Sequence, residues 1–197
     1  MVSKKFVAAM KSCVSGKLPA GITDNHVEFF AQDSQVFAFI NGELLHIQQW
    51  PREIKDVILA DIEKHPKALA CLVEADIVEE DEMISQYIRC RYSALDNDPD
   101  MINGKLQASE YVDCQLRGTC PYEGRLCDLL KAPYGTLTKR EIEVLRLIPE
   151  GLLDKEIGDQ LGISILTVGV YMKNLREKTG CKNKAELVRF AYLKNLI

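Results

Sequence analysis

The sequence predicts an α+β fold, mostly α, with its strands near the N-terminal end and a helical unit at the C-terminal end. Three observations carry that expectation. "QVFAFINGELLHI" sets Asn41-Gly42 between two runs of β-branched, aromatic and aliphatic residues. From Pro51 to Tyr92, apolar residues recur at helical spacing. At Leu137 the helical periodicity resumes after an irregular stretch, and glycines then punctuate it.

The Asn-Gly dipeptide supplies the positive φ angles that a type I′ turn needs, so a β-hairpin is expected around it. In "PREIKDVILADIEKH", Pro51 suits a first helical position, and Ile54, Val57, Ile58 and Ile62 share one face. Pro66 opens a second helix, "PKALACLVEA", whose Ala and Leu content favours helix over strand. "EEDEMISQYIRCRY" reads as a third, with carboxylates in its first turn complementing the helix dipole. After Tyr92, Asp, Asn, Pro and Gly dissolve any periodicity, and "KAPYGT" reads as a linker. The expected organisation is an N-terminal α+β module over 1–95, a cysteine-rich loop segment and linker over 96–133, and a four-helix domain over 134–197.

In the last segment, Thr138 with Glu141 forms the pattern of a capping box, in which each side chain satisfies a free backbone N–H. Ile142, Leu145 and Ile148 stripe the helix that follows, and Pro149 and Gly151 end it. A short second helix is expected from Asp154, as N-cap, to Leu161. Gly162 then stands one residue before Ser164, the N-cap of a third helix. Helix, glycine-containing tight turn, helix is the architecture of a helix-turn-helix. At 100° per residue, Val168, Met172, Leu175 and Thr179 fall on one stripe of the third helix. Leu166, Gly169, Val170, Lys173, Arg176 and Glu177 fall on the opposite one. Asn183 caps a fourth helix carrying Leu187, Phe190 and Leu193.

"LTKREIEVLRLIPEG", "KEIGDQLGIS", "TV" and the closing basic helix resemble the LuxR-type DNA-binding domain of bacterial transcription regulators. The resemblance covers about 60 residues. It implies a third helix that enters the major groove of double-stranded DNA and a fourth that mediates homodimer contacts. The family's groove-facing positions fall on Gly169, Val170 and Lys173, with Thr167 near a phosphate. The family usually has a basic residue where this chain has Gly169, often a polar or charged one at Leu166, and commonly a histidine at Tyr171. Val170 suits contact with a thymine methyl, and Lys173 a guanine edge or a phosphate. Lys155, Lys178, Lys182 and Lys184 are the expected phosphate contacts. The alternative is a helix-turn-helix scaffold that docks on another regulatory protein.

Charge agrees with two units having different partners. Residues 136–197 hold 11 Lys plus Arg against 8 Asp plus Glu, whereas residues 1–135 hold 14 against 21. The net charge of −4 argues against non-specific coating of nucleic acid. No apolar run approaches the roughly 18 residues of a membrane span. The basic start "MVSKKFVAAMKSCVSGKL" is too short and polar in its apolar stretch for a secretory signal, so a cytoplasmic location is expected.

Seven cysteines in a chain without an export signal do not suggest a disulfide framework. "CQLRGTCPYEGRLC" holds Cys114, Cys120 and Cys127, with Cys90 upstream and Gly118 and Gly124 allowing tight loops. Four thiolates suit zinc or an iron–sulfur cluster, although the spacing is not that of C-x2-C knuckles. Buried or surface thiols are the alternative. "CRYSALDNDPD" followed by that cysteine run also looks like a module preceding LuxR-type domains in small regulators. His26, His46 and His65 show no metal or triad spacing, and no phosphate loop, nucleophile elbow or paired-carboxylate signature is present, so no enzyme is expected.

Overall fold

Three two-residue turns shape the N-terminal sheet. The computed structural model describes residues 18–96, 98–194 and 196–197, so Cys13 and most of the basic start lie outside the described residues. Strands β1 (Val27–Gln32), β2 (Gln35–Ile40), β3 (Glu43–His46), β4 (Met101–Ile102) and β5 (Lys105–Leu106) form one antiparallel sheet in the order β3-β2-β1-β4-β5. The turns are Asp33-Ser34, Asn41-Gly42 and Asn103-Gly104, all with positive φ at both positions. That geometry matches the right-handed twist of the flanking strands.

The hairpin at Asn41-Gly42 forms as expected, with Ile40 opposite Glu43. Two further pairings go beyond it. β1 carries no clean alternation, because Val27, Glu28, Phe29 and Phe30 are all buried. It lies between β2 and β4 and is covered on both faces. "MINGKL", within the stretch read as irregular, is a second Asn-Gly hairpin that extends the sheet.

Helices α1 (Arg52–Lys64), α2 (Pro66–Glu74) and α3 (Glu80–Arg91) follow the expected pattern, except that Pro51 is the N-cap rather than the first helical residue. Phe29, Val36, Ala38, Ile58, Ile62, Leu72, Ile84 and Ile88 make one core between sheet and helices. Trp50 packs on Phe29 with ring centroids 4.9 Å apart, and its indole N–H donates to the Leu45 carbonyl.

The chain divides into two compact units after Asp128. In the second, "KAPYGT" is not merely a linker. Strands β6 (Lys131–Ala132) and β7 (Gly135–Thr136) pair across it. Helices α4 (Lys139–Leu147), α5 (Asp154–Leu161), α6 (Ile165–Thr179) and α7 (Lys184–Leu193) complete the unit. Leu145, Ile157, Val168, Leu175, Leu187 and Ala191 are fully buried. Leu153, not Asp154, is the N-cap of α5, and the Glu156 carboxylate accepts the Leu153 N–H at 2.7 Å. Among the described residues, no helix is long and apolar enough to cross a membrane.

Candidate nucleic-acid interface and cysteine cavity

Helix α6 is a poor helix by composition, with Ile165, Thr167, Val168, Gly169 and Val170 in its first two turns. Gly169 alone costs about 1 kcal/mol relative to alanine. Tertiary burial outweighs that cost. Val168, Met172 and Leu175 are buried against α4, α5 and α7, and burial of each such side chain contributes about 2 kcal/mol. Local signals set the ends: Ser164 Oγ accepts the Thr167 N–H at 3.1 Å, and Gly180 closes the helix in a left-handed conformation.

The turn before α6 is held tight by a close backbone approach. The Ile163 N–H donates to the Gly158 carbonyl at 2.9 Å. A Cβ built on Gly158 would stand 2.8 Å from the Ile163 carbonyl oxygen. Only a residue without a side chain fits there. Gly158 sits inside "KEIGDQL", where its packing role was not read from the sequence.

With the inner stripe buried, the opposite stripe is exposed: Leu166, Gly169, Val170, Lys173, Arg176 and Glu177. Leu166 is 80% exposed and Val170 56%, so the ridge is aliphatic at its tip. A Cβ at Gly169 would meet no atom within 4 Å. Thr167 is half-buried and its hydroxyl lies 2.8 Å from that of Ser164. Lys173 is exposed, with Glu177 at 3.8 Å one turn on.

The five lysines divide by environment. Lys155 and Lys182 are exposed, at the start of α5 and just before α7. Lys184 is ion-paired with Asp154 at 2.8 Å. Lys178 is part-buried and ion-paired within the unit. Its ammonium lies 2.8 Å from a carboxylate oxygen of Glu141, a side chain only 2% exposed. Burial pushes the Glu141 carboxyl up, but the Lys178 ammonium and the Thr138 N–H outweigh it, and the net shift is downward. The capping box is present as expected, with Glu141 accepting the Thr138 N–H at 2.8 Å. The β6–β7 hairpin is tied to the same helix end: the Tyr134 N–H donates to the Lys178 carbonyl at 2.9 Å. At the far end of α7, Tyr192 and Leu193 are exposed; Leu193 is therefore not a core position.

Cys90, Cys114, Cys120 and Cys127 line one cavity of about 350 Å³ in the first unit, with Ile77, Val112, Leu126, Gln86, Arg89 and Arg117 among its other walls. Cys90 comes from the last turn of α3 and the other three from a run of tight turns. In that run Cys114 O accepts the Arg117 N–H, Leu116 O the Cys120 N–H, and Tyr122 O the Leu126 N–H. Gly118 and Gly124 have positive φ there. The buried Arg117 holds the run together through Nε to Val112 O at 2.9 Å, Nη1 to Asp128 O at 2.8 Å, and its guanidinium over the Tyr111 ring. Arg117 Nη2 is buried with no hydrogen-bond partner among the described residues. Burial pushes the Cys90 thiol up to about 11 and the Cys127 thiol up as well. Among the described residues, no three His, Cys, Asp or Glu side chains converge as ligands of a single metal ion do.

The geometry of 129–197 defines the class: a four-helix helix-turn-helix unit with an exposed third helix. Residues 135–191 match the family described as bacterial regulatory proteins, luxR family, and this part of the chain is a domain of that family. Similar proteins include the oxygen regulatory protein NreC of Staphylococcus aureus strains JH9, Mu3 / ATCC 700698 and NCTC 8325 / PS 47. Each is 42% identical over 65 residues, which is 33% of this chain and 30% of the relative. The chain thus spans less than a third of the length of those relatives. No solved structure matches it.

Proposed function

We propose that the chain is a DNA-binding transcriptional regulator, acting in the cytoplasm as a homodimer, in which α6 enters the major groove. The observation that carries this reading is the division of α6. Its inner stripe is consumed by the core, and its outer stripe, in a luxR-family domain, stands open to a partner. Val170 is placed to meet a thymine methyl and Lys173 a base edge or phosphate. Gly169 lets the helix backbone approach the bases closely. Lys155 and Lys182 supply phosphate contacts beside the groove. Exposed Tyr192 and Leu193 on α7 support a dimer seam, since two copies on a two-fold axis read two half-sites.

One observation favours a second reading. The exposed tip of α6 is Ile165, Leu166 and Val170, all aliphatic, which suits docking on a protein. The full chain titrated with fragmented genomic duplex, followed by footprinting, separates the two. Protected sites with paired half-sites, and affinity that falls steeply as salt rises, are expected for the regulator. Absence of duplex binding even at low salt overturns it.

A further inference from the structure

We propose that the first unit binds a small aromatic carboxylate in the cavity bordered by Cys90, Cys114, Cys120 and Cys127. Its volume of about 350 Å³ is that of a small ligand pocket and far above the voids that close packing leaves. The walls are mainly apolar, with Ile77, Val112, Pro121 and Leu126 among the thiols. Water finds few partners there, so a mostly apolar molecule gains by replacing it. Sulfur is polarizable and packs favourably against aromatic rings. A rigid ring system also loses less freedom on binding than a flexible chain. Cys114 and Leu116 are exposed, so the cavity is reached from solvent.

The charged groups decide the polar end of the ligand. Those that line the cavity are Arg89, Arg117 and Glu123. Arg117 and Glu123 are paired at 3.6 Å and neutralise one another. Arg117 also donates to Val112 O and Asp128 O, and Glu123 accepts the Gly118 N–H. Gln86 Nε2 is engaged with Cys90 Sγ at 3.2 Å. The guanidinium of Arg89 remains. It is half-buried and forms no ion pair among the described residues. Arg89 borders a neighbouring hollow as well, with Asp81 and Glu82; there Asp81 is taken by Lys55 at 2.6 Å, and Glu82 is exposed. One uncompensated cation beside an apolar enclosure favours a ligand of single negative charge, and a guanidinium matches the two oxygens of a carboxylate. Such binding belongs to the first unit and does not depend on whether the second binds DNA.

The test titrates the full chain with 2-naphthoate, and with 2-naphthamide as a neutral molecule of nearly the same shape. Calorimetry is expected to show a single site per chain and about tenfold tighter binding of the carboxylate. Bound naphthoate should slow alkylation of Cys120 by iodoacetamide, read by peptide mass spectrometry, and leave Cys181 unaffected. Both thiols are half-buried, and of the two only Cys120 lines the cavity. Arg89→Gln should lower the carboxylate to the affinity of the amide. The Arg89 guanidinium holds no ion pair among the described residues, so circular dichroism should show an unchanged fold. No binding of naphthoate at millimolar concentration, equal binding of the two molecules, protection of Cys181 equal to that of Cys120, or full affinity in Arg89→Gln overturns the proposal.

Discussion

Lys178 and Glu141 form an ion pair at 2.8 Å that joins the end of α6 to the start of α4, with the carboxylate 2% exposed. The same carboxylate caps α4 through the Thr138 N–H. Removing the lysine strands a buried charge. Lys178→Met is expected to destabilise the second unit by about 3 kcal/mol, and Glu141→Ala by about 2–3 kcal/mol through lost pair and cap. The double variant should cost less than the sum of the two. Denaturant unfolding of the three proteins measures this; additive losses would mean that the pair is not coupled. The net-lowered pKa of Glu141 makes its contribution present above the usual carboxylate range and lost as pH falls through the folded value.

Two glycines of the helix-turn-helix should respond oppositely to alanine. Gly169 faces open space, so Gly169→Ala is expected to stabilise the unit by about 1 kcal/mol. If α6 sits in a groove, the same methyl should weaken duplex binding. Gly158→Ala forces a Cβ against the Ile163 carbonyl, and should destabilise by about 1–3 kcal/mol. Thermal melts paired with anisotropy titrations separate these effects. A Gly169→Ala protein with both higher stability and unchanged binding would remove that position from the interface.

Lys155 and Lys182 are exposed, whereas Lys178 is paired with a buried carboxylate. The Lys155→Ala, Lys182→Ala double variant should therefore flatten the dependence of log affinity on log salt by about 2, while its melting temperature hardly moves. An unchanged salt slope would place both lysines outside the DNA contact.

Acid groups in the first unit predict a different pH response. Glu28 is fully buried, and burial, with the charges of Asp96 and Glu110 against the Asp96 N–H, pushes its carboxyl up to about 9. Burial likewise pushes Glu110 up to about 8 and Asp100 well above its ordinary value. A carboxyl raised in the folded state favours folding below its unfolded pKa of about 4.5, and that advantage is lost as pH rises toward the folded value. Stability of the first unit should fall between pH ~4.5 and ~9, by at most about 1.4 kcal/mol per pH unit for each proton released on unfolding. Glu28→Gln should flatten the decline, since an amide still accepts the Asp96 N–H that Glu28 now accepts at 2.9 Å. Melting temperatures across that range check it; parallel curves for both proteins would show that Glu28 does not titrate there.

The sequence by itself determined the C-terminal unit almost residue by residue. The Thr138–Glu141 box, the Ser164 and Asn183 caps, and the buried stripe of α6 all lie where local chemistry and a 100° step put them. A cap bonds to backbone within three residues, and a helix face follows from one angle, so no distant contact is needed. The differences were small: Leu153 rather than Asp154 caps α5, through the nearby Glu156, and Leu193 is exposed. The pairing of Lys178 with Glu141, 37 residues away, lay beyond any local signal. The Asn103-Gly104 hairpin was legible in principle, since it carries the same dipeptide as Asn41-Gly42, but its strands are only two residues long and offer no alternation. Strand β1 was hidden for another reason, because burial on both faces erases the period that marks a strand. Only the tertiary structure decided that four cysteines spread over 38 positions border one cavity, and that Arg117 lines it with an unpartnered nitrogen. Such a gathering rests on chain reversals whose closure depends on packing, and spacing along the sequence does not encode it.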